Sequence, residues 1–83
     1  MRVNIKYFAS IRESVGAGSE QLETAATTLG ALRDELIARG GAHAESLSRG
    51  RAVRVALDQM MSEEGVALCE GCEVAFFPPV TGG

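Results

Sequence analysis

From residue 3 onward apolar and polar side chains alternate, with Val3, Ile5 and Tyr7 in one phase and Asn4, Lys6 and Phe8 in the other. A period of two belongs to a half-buried β-strand, whose successive side chains point to opposite faces. A strand is therefore predicted over residues 3–8, with Val3, Ile5 and Tyr7 inward and Phe8 out of phase with them. Ile11–Val15 has room for about one helical turn before Gly16 and Gly18 break it. Residues 19–25, centred on Leu22, predict a weaker strand, polar enough to lie at a sheet edge. The clearest helix follows Thr28, a good N-cap: Leu29, Leu32, Leu36 and Ile37 recur at i, i+3, i+7 and i+8, and Gly40-Gly41 supplies the stop. Ala42 to Gly50 reads as a polar loop, with space for a helical turn around Ser46 and Leu47.

Val53, Val55 and Leu57 then alternate with Arg54 and Ala56 as another strand, Asp58-Gln59 forms a turn, and the short segment Met60-Met61-Ser62 leads into a loop at Glu63-Glu64-Gly65. Last comes Glu73-Val74-Ala75-Phe76-Phe77, a strong strand stopped by Pro78-Pro79. Two hairpins flanking one main helix, with strongly apolar first and last strands, predict an α+β fold of the ubiquitin-like or β-grasp type. Its mixed sheet wraps that helix, and the first and last strands lie side by side at the centre. Residues 1–77 form the domain and residues 78–83 a flexible C-terminal tail.

A chain of 83 residues fills one core and cannot fill a second. With 46% hydrophobic and 23% charged residues it has the composition of a folded globular domain, and at this size it has no depth for an enclosed catalytic cavity. The net charge of -3 supplies no footprint for nucleic acid, so Arg49, Arg51 and Arg54 read as a solvated turn entering a strand. The alternating start lacks the apolar run of a signal peptide, and no stretch approaches the roughly 18–20 apolar residues of a membrane span. A cytoplasmic protein is expected.

Enzyme constellations are mostly missing. The single histidine, His43, lies in a polar segment with no recognisable nucleophile motif, no glycines have phosphate-loop spacing, and no pair of carboxylates stands out as an acid and base. Cys69-Glu70-Gly71-Cys72 could be a redox dithiol or half a zinc site, but there is no second CxxC and the pair precedes a strand rather than opening a helix. It reads as two turn cysteines kept reduced, with no metal; a zinc ion bridging two chains is the surviving alternative.

The C-terminal segment differs in kind. Pro78-Pro79-Val80-Thr81-Gly82-Gly83 follows the last strand with nothing left to pair with, stiff at the prolines and bare at the glycines. At roughly 3.3 Å per extended residue it reaches about 20 Å. Glycine lets a backbone approach a ligand closely, so Gly82-Gly83 would present the α-carboxylate on a narrow probe. If Val74 and Phe76 point inward, Phe77 joins Phe8 and Met61 on the outer sheet face. That apolar patch suits a docking partner, burial under a loop being the alternative.

The ending Phe76-Phe77-Pro78-Pro79-Val80-Thr81-Gly82-Gly83, with Phe8-Ala9-Ser10-Ile11-Arg12-Glu13 and Thr28-Leu29-Gly30-Ala31-Leu32-Arg33, resembles the MoaD/ThiS family of ubiquitin-like sulfur carriers. Within that family the likeness is to the small subunits of molybdopterin synthase, and it covers essentially the whole chain. The resemblance implies a protein that is not itself an enzyme and binds no cofactor. An E1-like activating enzyme (MoeB-like) would use ATP to adenylate Gly83, and a cysteine-desulfurase system would supply sulfur to make a thiocarboxylate. The charged tail would then enter a MoaE-like large subunit, in a heterotetramer, and give sulfur to cyclic pyranopterin monophosphate to form molybdopterin. An α-carboxylate of pKa about 3.3–3.7 is ionised at neutral pH and resists nucleophilic attack, so activation by ATP is chemically required. Two departures from the family pattern stand out: Asp58 where an asparagine is expected, and Cys69 and Cys72 in place of polar turn residues. A carrier for thiamin or cysteine synthesis shares the Gly-Gly ending, as does a ubiquitin-like protein modifier.

Overall fold

The computed structural model describes residues 1–79, along which run β1 (Arg2–Tyr7), α1 (Ala9–Val15), β2 (Ser19–Glu23), α2 (Leu29–Ile37), α3 (Gly41–Leu47), β3 (Arg54–Leu57), β4 (Met60–Ser62) and β5 (Glu73–Phe77). The strands form one mixed sheet in the order β2-β1-β5-β3-β4. β1 and β5 pair in parallel, from Asn4 opposite Glu73 to Tyr7 opposite Phe76, and the other neighbours are antiparallel. The first and last strands thus meet inside the sheet, as their apolar character predicted, and the polar β2 is an edge.

Alternation on β1 and β5 builds the floor of the core. Val3, Ile5, Val74 and Phe76 are fully enclosed, Tyr7 nearly so, and the Tyr7 and Phe76 rings stack with centroids 6.2 Å apart. Onto this floor α2 lays Leu29, Leu32 and Leu36, all with no exposure. Each such leucine contributes about 1.5–3 kcal/mol, so the stripe rather than intrinsic helix propensity holds α2 in place. The Thr28 hydroxyl caps the helix by accepting the Ala31 N–H at 3.1 Å.

Residues 41–47, read from the sequence as part of a loop, form the helix α3. Gly40 and Gly41 sit at φ 78° and 57°, a left-handed pair that ends α2 and turns the chain directly into the next helix. Leu47 is the one large apolar residue of the segment and is wholly buried, which gives too little periodicity to reveal a helix from sequence. α1 likewise runs seven residues, longer than one turn, and ends on Gly16 at φ 83°. α2, with nine residues, remains the main helix.

The carbonyls at the end of α3 are satisfied by a buried arginine. Arg33, only 3% exposed, donates through Nε to Leu47 O at 2.7 Å and through Nη2 to Ser48 O at 2.6 Å and Arg51 O at 3.0 Å. Its Nη1 donates to Glu64 Oε2 at 2.8 Å, and Glu64 also pairs with Arg49. Arg49 reaches Asp34 at 2.9 Å and Gly30 O at 3.0 Å, so it ties α2 to the following loop instead of standing free in a solvated turn. Among the described residues no helix is long and apolar enough to cross a membrane.

In the β3–β4 hairpin, Asp58 and Gln59 have φ 48° and 70°, the signs of a type I′ turn, which favours glycine at its second central position. Gln59→Gly is expected to raise the unfolding free energy by roughly 0.5–1 kcal/mol in urea titrations, because glutamine is strained in the left-handed region. Arg33→Leu is expected to lower it by about 3 kcal/mol, since three carbonyls and Glu64 lose a charged donor. A change under about 0.5 kcal/mol would show that Arg33 is not needed to close α3.

Candidate functional site

The helices cover only one face of the sheet. Val55, Val74 and Phe76 join the α2 leucines in a single core cluster, so residues in the opposite phase, among them Ala56, Ala75 and Phe77, point to the other face. Register carries this face across four strands: Lys6 lies opposite Ala75, Ala75 opposite Ala56, and Ala56 opposite Met61. Ala56 and Ala75 are 3% and 5% exposed, short side chains forming a floor between taller neighbours, whereas Met61 is 58% exposed.

Phe8 reaches this face from the junction of β1 and α1. Its extended backbone caps α1, its N–H donates to Phe76 O at 3.2 Å, and its ring stacks on Phe77 with centroids 4.6 Å apart and planes within 10°. Such a stacked pair is worth about 0.5–1.5 kcal/mol beyond its area, yet Phe8 keeps 39% exposure. Arg54 lies opposite Phe77, and Lys6 pairs with Glu73 at 3.5 Å, so charges rim an apolar centre. Phe8, Phe77 and Met61 supply the accessible apolar area of this face, over the floor of Ala75 and Ala56, and methionine adapts readily to the shape of a partner.

The C-terminal segment leaves from the edge of that surface. Pro78 is half-buried and Pro79 exposed. Together with Ser10, Ile11 and Ser14 of α1, Glu45 and Ser46 of α3, and Arg51, they border a cleft of about 70 Å³. That volume is far below the roughly 300–1,000 Å³ of a small-molecule site, so the cleft beside Pro78 and Pro79 is not a substrate pocket. The expected tail residues Val80, Thr81, Gly82 and Gly83 lie outside the described residues.

On the helical side a polar cluster surrounds Glu20. Its carboxylate accepts the Tyr7 hydroxyl at 3.0 Å and pairs with Arg39 at 2.8 Å and His43 Nε2 at 3.5 Å, while the His43 and Tyr7 rings meet edge to face at 5.8 Å. Burial by itself would raise the Glu20 pKa, but the hydrogen bonds from Arg39, Tyr7 and His43 together outweigh it and hold the carboxyl below its ordinary value. The Tyr7 hydroxyl is pushed well above its ordinary range, first by burial and then by the neighbouring Glu20 charge. Glu20 stays ionised and Tyr7 protonated at neutral pH, which makes the cluster structural. His43 therefore sits on a half-buried helix face instead of a surface loop.

Cys69 is exposed and Cys72 buried, both as free thiols, and burial pushes the Cys72 thiol up in pKa. Among the described residues no three of the types His, Cys, Asp and Glu come together as a metal site. The residues that sequence reasoning missed are Arg33, Glu64 and Glu20, whose roles depend on partners 13 to 31 positions away. The only cue was Glu20 facing β1 at an edge strand, too weak to single it out.

Residues 5–83 match the ThiS family. The chain is 40% identical over 98% of its length, and 99% of the relative, to the molybdopterin synthase sulfur carrier subunit of Haemophilus influenzae (strain ATCC 51907 / DSM 11121 / KW20 / Rd). It is 36% identical with the same coverage to the Escherichia coli (strain K12) protein of that name. Among solved structures it is similar to small archaeal modifier protein 1 of H. volcanii, with TM-score 0.77, 26% identity, and 95% and 98% of the two chains covered. Its ubiquitin-like β-grasp architecture agrees with these neighbours.

The Glu20 cluster makes a pH prediction. A carboxyl whose folded pKa is depressed contributes stability that is complete above its unfolded value, about 4.3, and is lost as pH falls through the folded one. Melting temperature should therefore fall on acidification below about pH 4.3 less steeply in Glu20→Gln than in the parent chain. Identical acid slopes for the two proteins would remove Glu20 from the account.

Proposed function

Because the chain belongs to the ThiS family, we propose that it is a sulfur carrier, the small subunit of a molybdopterin synthase, and that its cargo is held as a thiocarboxylate on Gly83. Relatives at 40% and 36% identity over nearly their whole length support the choice of molybdopterin synthase over other sulfur-carrier pathways. The observation that carries the reading is the apolar face at Phe8 and Phe77, placed where β5 hands over to Pro78.

A carrier needs two separable parts, a surface that several partners grip and a narrow end they act on. In this reading the Phe8–Phe77 stack, with Met61 on the same face, is the grip, and Pro78 to Gly83 is the tail. Residues 1–77 supply rigidity and residues 78–83 supply reach. The activating enzyme would bind the face and guide the Gly83 carboxylate to ATP. Carboxylate oxygen attacks the α-phosphorus, pyrophosphate leaves, and the acyl-adenylate has AMP as its leaving group. A sulfur nucleophile then displaces AMP and leaves a C–S bond in place of a C–O bond. Binding of the large subunit through the same face would make delivery of that sulfur to cyclic pyranopterin monophosphate effectively intramolecular. The chain contributes the carried group, and the acids, bases and ATP site belong to its partners.

Incubation with an activating enzyme of this pathway, ATP and a sulfur source is expected to replace one terminal oxygen by sulfur in the intact-mass spectrum. An unchanged mass under conditions that charge a related carrier would sink the proposal. Deletion of Gly83 should abolish charging without shifting the melting temperature. Phe77→Asp should weaken binding to the large subunit by roughly 100-fold or more, since it places a charge at the centre of the apolar contact. The likeness to an archaeal modifier protein favours a second reading, in which Gly83 is joined to lysines of other proteins. Isopeptide-linked conjugates that form without any sulfur source would select it.

A further inference from the structure

Cys69 and Cys72 have no part in sulfur carriage as proposed above, and they lie at the opposite end of β5 from Pro78. The Cys72 N–H donates to Cys69 O at 3.1 Å, closing a four-residue turn in which Gly71 takes φ 78°, the sign a type II turn requires at its third residue. A closed turn brings its first and last Cα atoms within about 7 Å, and disulfides span Cα separations of about 4.4–6.8 Å.

The turn is held in this shape from outside. Gly71 N–H donates to Arg2 O at 2.8 Å, and Asn4 donates through its N–H to Cys72 O at 2.9 Å and through Nδ2 to Gly71 O at 3.2 Å. The Arg2 N–H is shared by the two Glu70 carboxylate oxygens at 3.2 and 3.1 Å. Glu70, Gly71 and Cys72 are thereby fixed against β1, and Cys69 is joined to them through the turn's own hydrogen bond, so forming a sulfur–sulfur bond would require side-chain rotation and little backbone movement. Access is asymmetric as well: Cys69 is exposed, while Cys72 is 4% exposed and packs in the core cluster.

We propose that Cys69 and Cys72 form a redox-active dithiol, oxidised to an internal disulfide by small disulfides of the glutathione class. Cys69 thiolate attacks one sulfur of glutathione disulfide, forming a mixed disulfide and releasing one glutathione thiolate. Cys72 gives its proton to solvent and attacks the Cys69 sulfur, which expels the second glutathione. Two protein thiols are oxidised and one external disulfide is reduced to two thiols. The exposed sulfur meets the oxidant and the buried one resolves the adduct, a division that follows from their exposure. Phe77, where the outer aromatic pair sits, is about 17 Å from Cys72 along β5 at roughly 3.3 Å per residue, and Ala75 about 10 Å.

The test treats the full chain with glutathione disulfide under native conditions, blocks free thiols after denaturation and records the intact mass. The expected product has lost two hydrogens, takes up no blocking reagent and returns to the starting mass with dithiothreitol. Cys72→Ser should instead accumulate one glutathione on Cys69. The equilibrium against a glutathione redox buffer should favour the disulfide about tenfold or more in the native chain relative to the chain in urea, because folding pre-forms the turn. A persistent glutathione adduct on the parent protein, a dimer linked through Cys69, or a disulfide that closes only in urea would each overturn the proposal.

Discussion

The parallel pairing of β1 with β5 is the constraint on which the remaining architecture depends. It joins the beginning of the chain to residues 73–77, so everything between must form a crossover that leaves the sheet and returns to it. The helices within that crossover pack on the face that carries Val3, Ile5, Tyr7, Val74 and Phe76. The other face is left without a helical layer. Pairing in parallel also sends both strands toward the same end of the sheet, which is why Phe8, just past β1, meets Phe77, the last residue of β5. A single topological choice thus creates the core, the face without helices and the aromatic pair next to Pro78.

Burial of leucine, valine and aromatic side chains supplies the cohesion, but polar groups decide which arrangement of the loops is stable. Arg33 is the clearest case. A guanidinium enclosed to 3% exposure would be costly alone, and it is tolerated because four acceptors from the α3 terminus, the following loop and Glu64 receive its hydrogen bonds. Asp58 plays a smaller version of the same part, exchanging hydrogen bonds with Glu73 at 2.8 and 2.9 Å and so tying the β3–β4 turn to the start of β5. Tyr7 buries its ring against Phe76 while its hydroxyl finds Glu20. No buried side-chain polar atom among the described residues is left without a partner.

This distribution suits a carrier. The last strand ends at Phe77, and in the proposed reading the acids and bases for the chemistry at Gly83 come from the partners. What the domain must offer is a surface specific enough to be chosen by successive partners and small enough to be released. An apolar centre of Phe8, Phe77 and Met61, rimmed by Lys6, Glu73 and Arg54, has that character: its centre supplies affinity and its rim supplies orientation. The two cysteines lie at the far end of β5 from Phe77, so the thiol chemistry proposed for them and the proposed carriage of sulfur on Gly83 involve opposite ends of that strand.

Strict alternation in β1 and β5 and the leucine stripe after Thr28 determined the inward and outward faces of the sheet and the position of the main helix, because each depends only on the period of a regular backbone. The outward placement of Phe8, Phe77 and Met61 followed from the same phase argument. Tertiary structure alone decided what has no local period: that residues 41–47 form a helix seated by one leucine, that Arg33 turns inward, and that Arg49 bridges α2 to the loop opposite. Those outcomes come from partners distant in the chain, whose hydrogen bonds repay the burial of polar groups only after the sheet has brought them together.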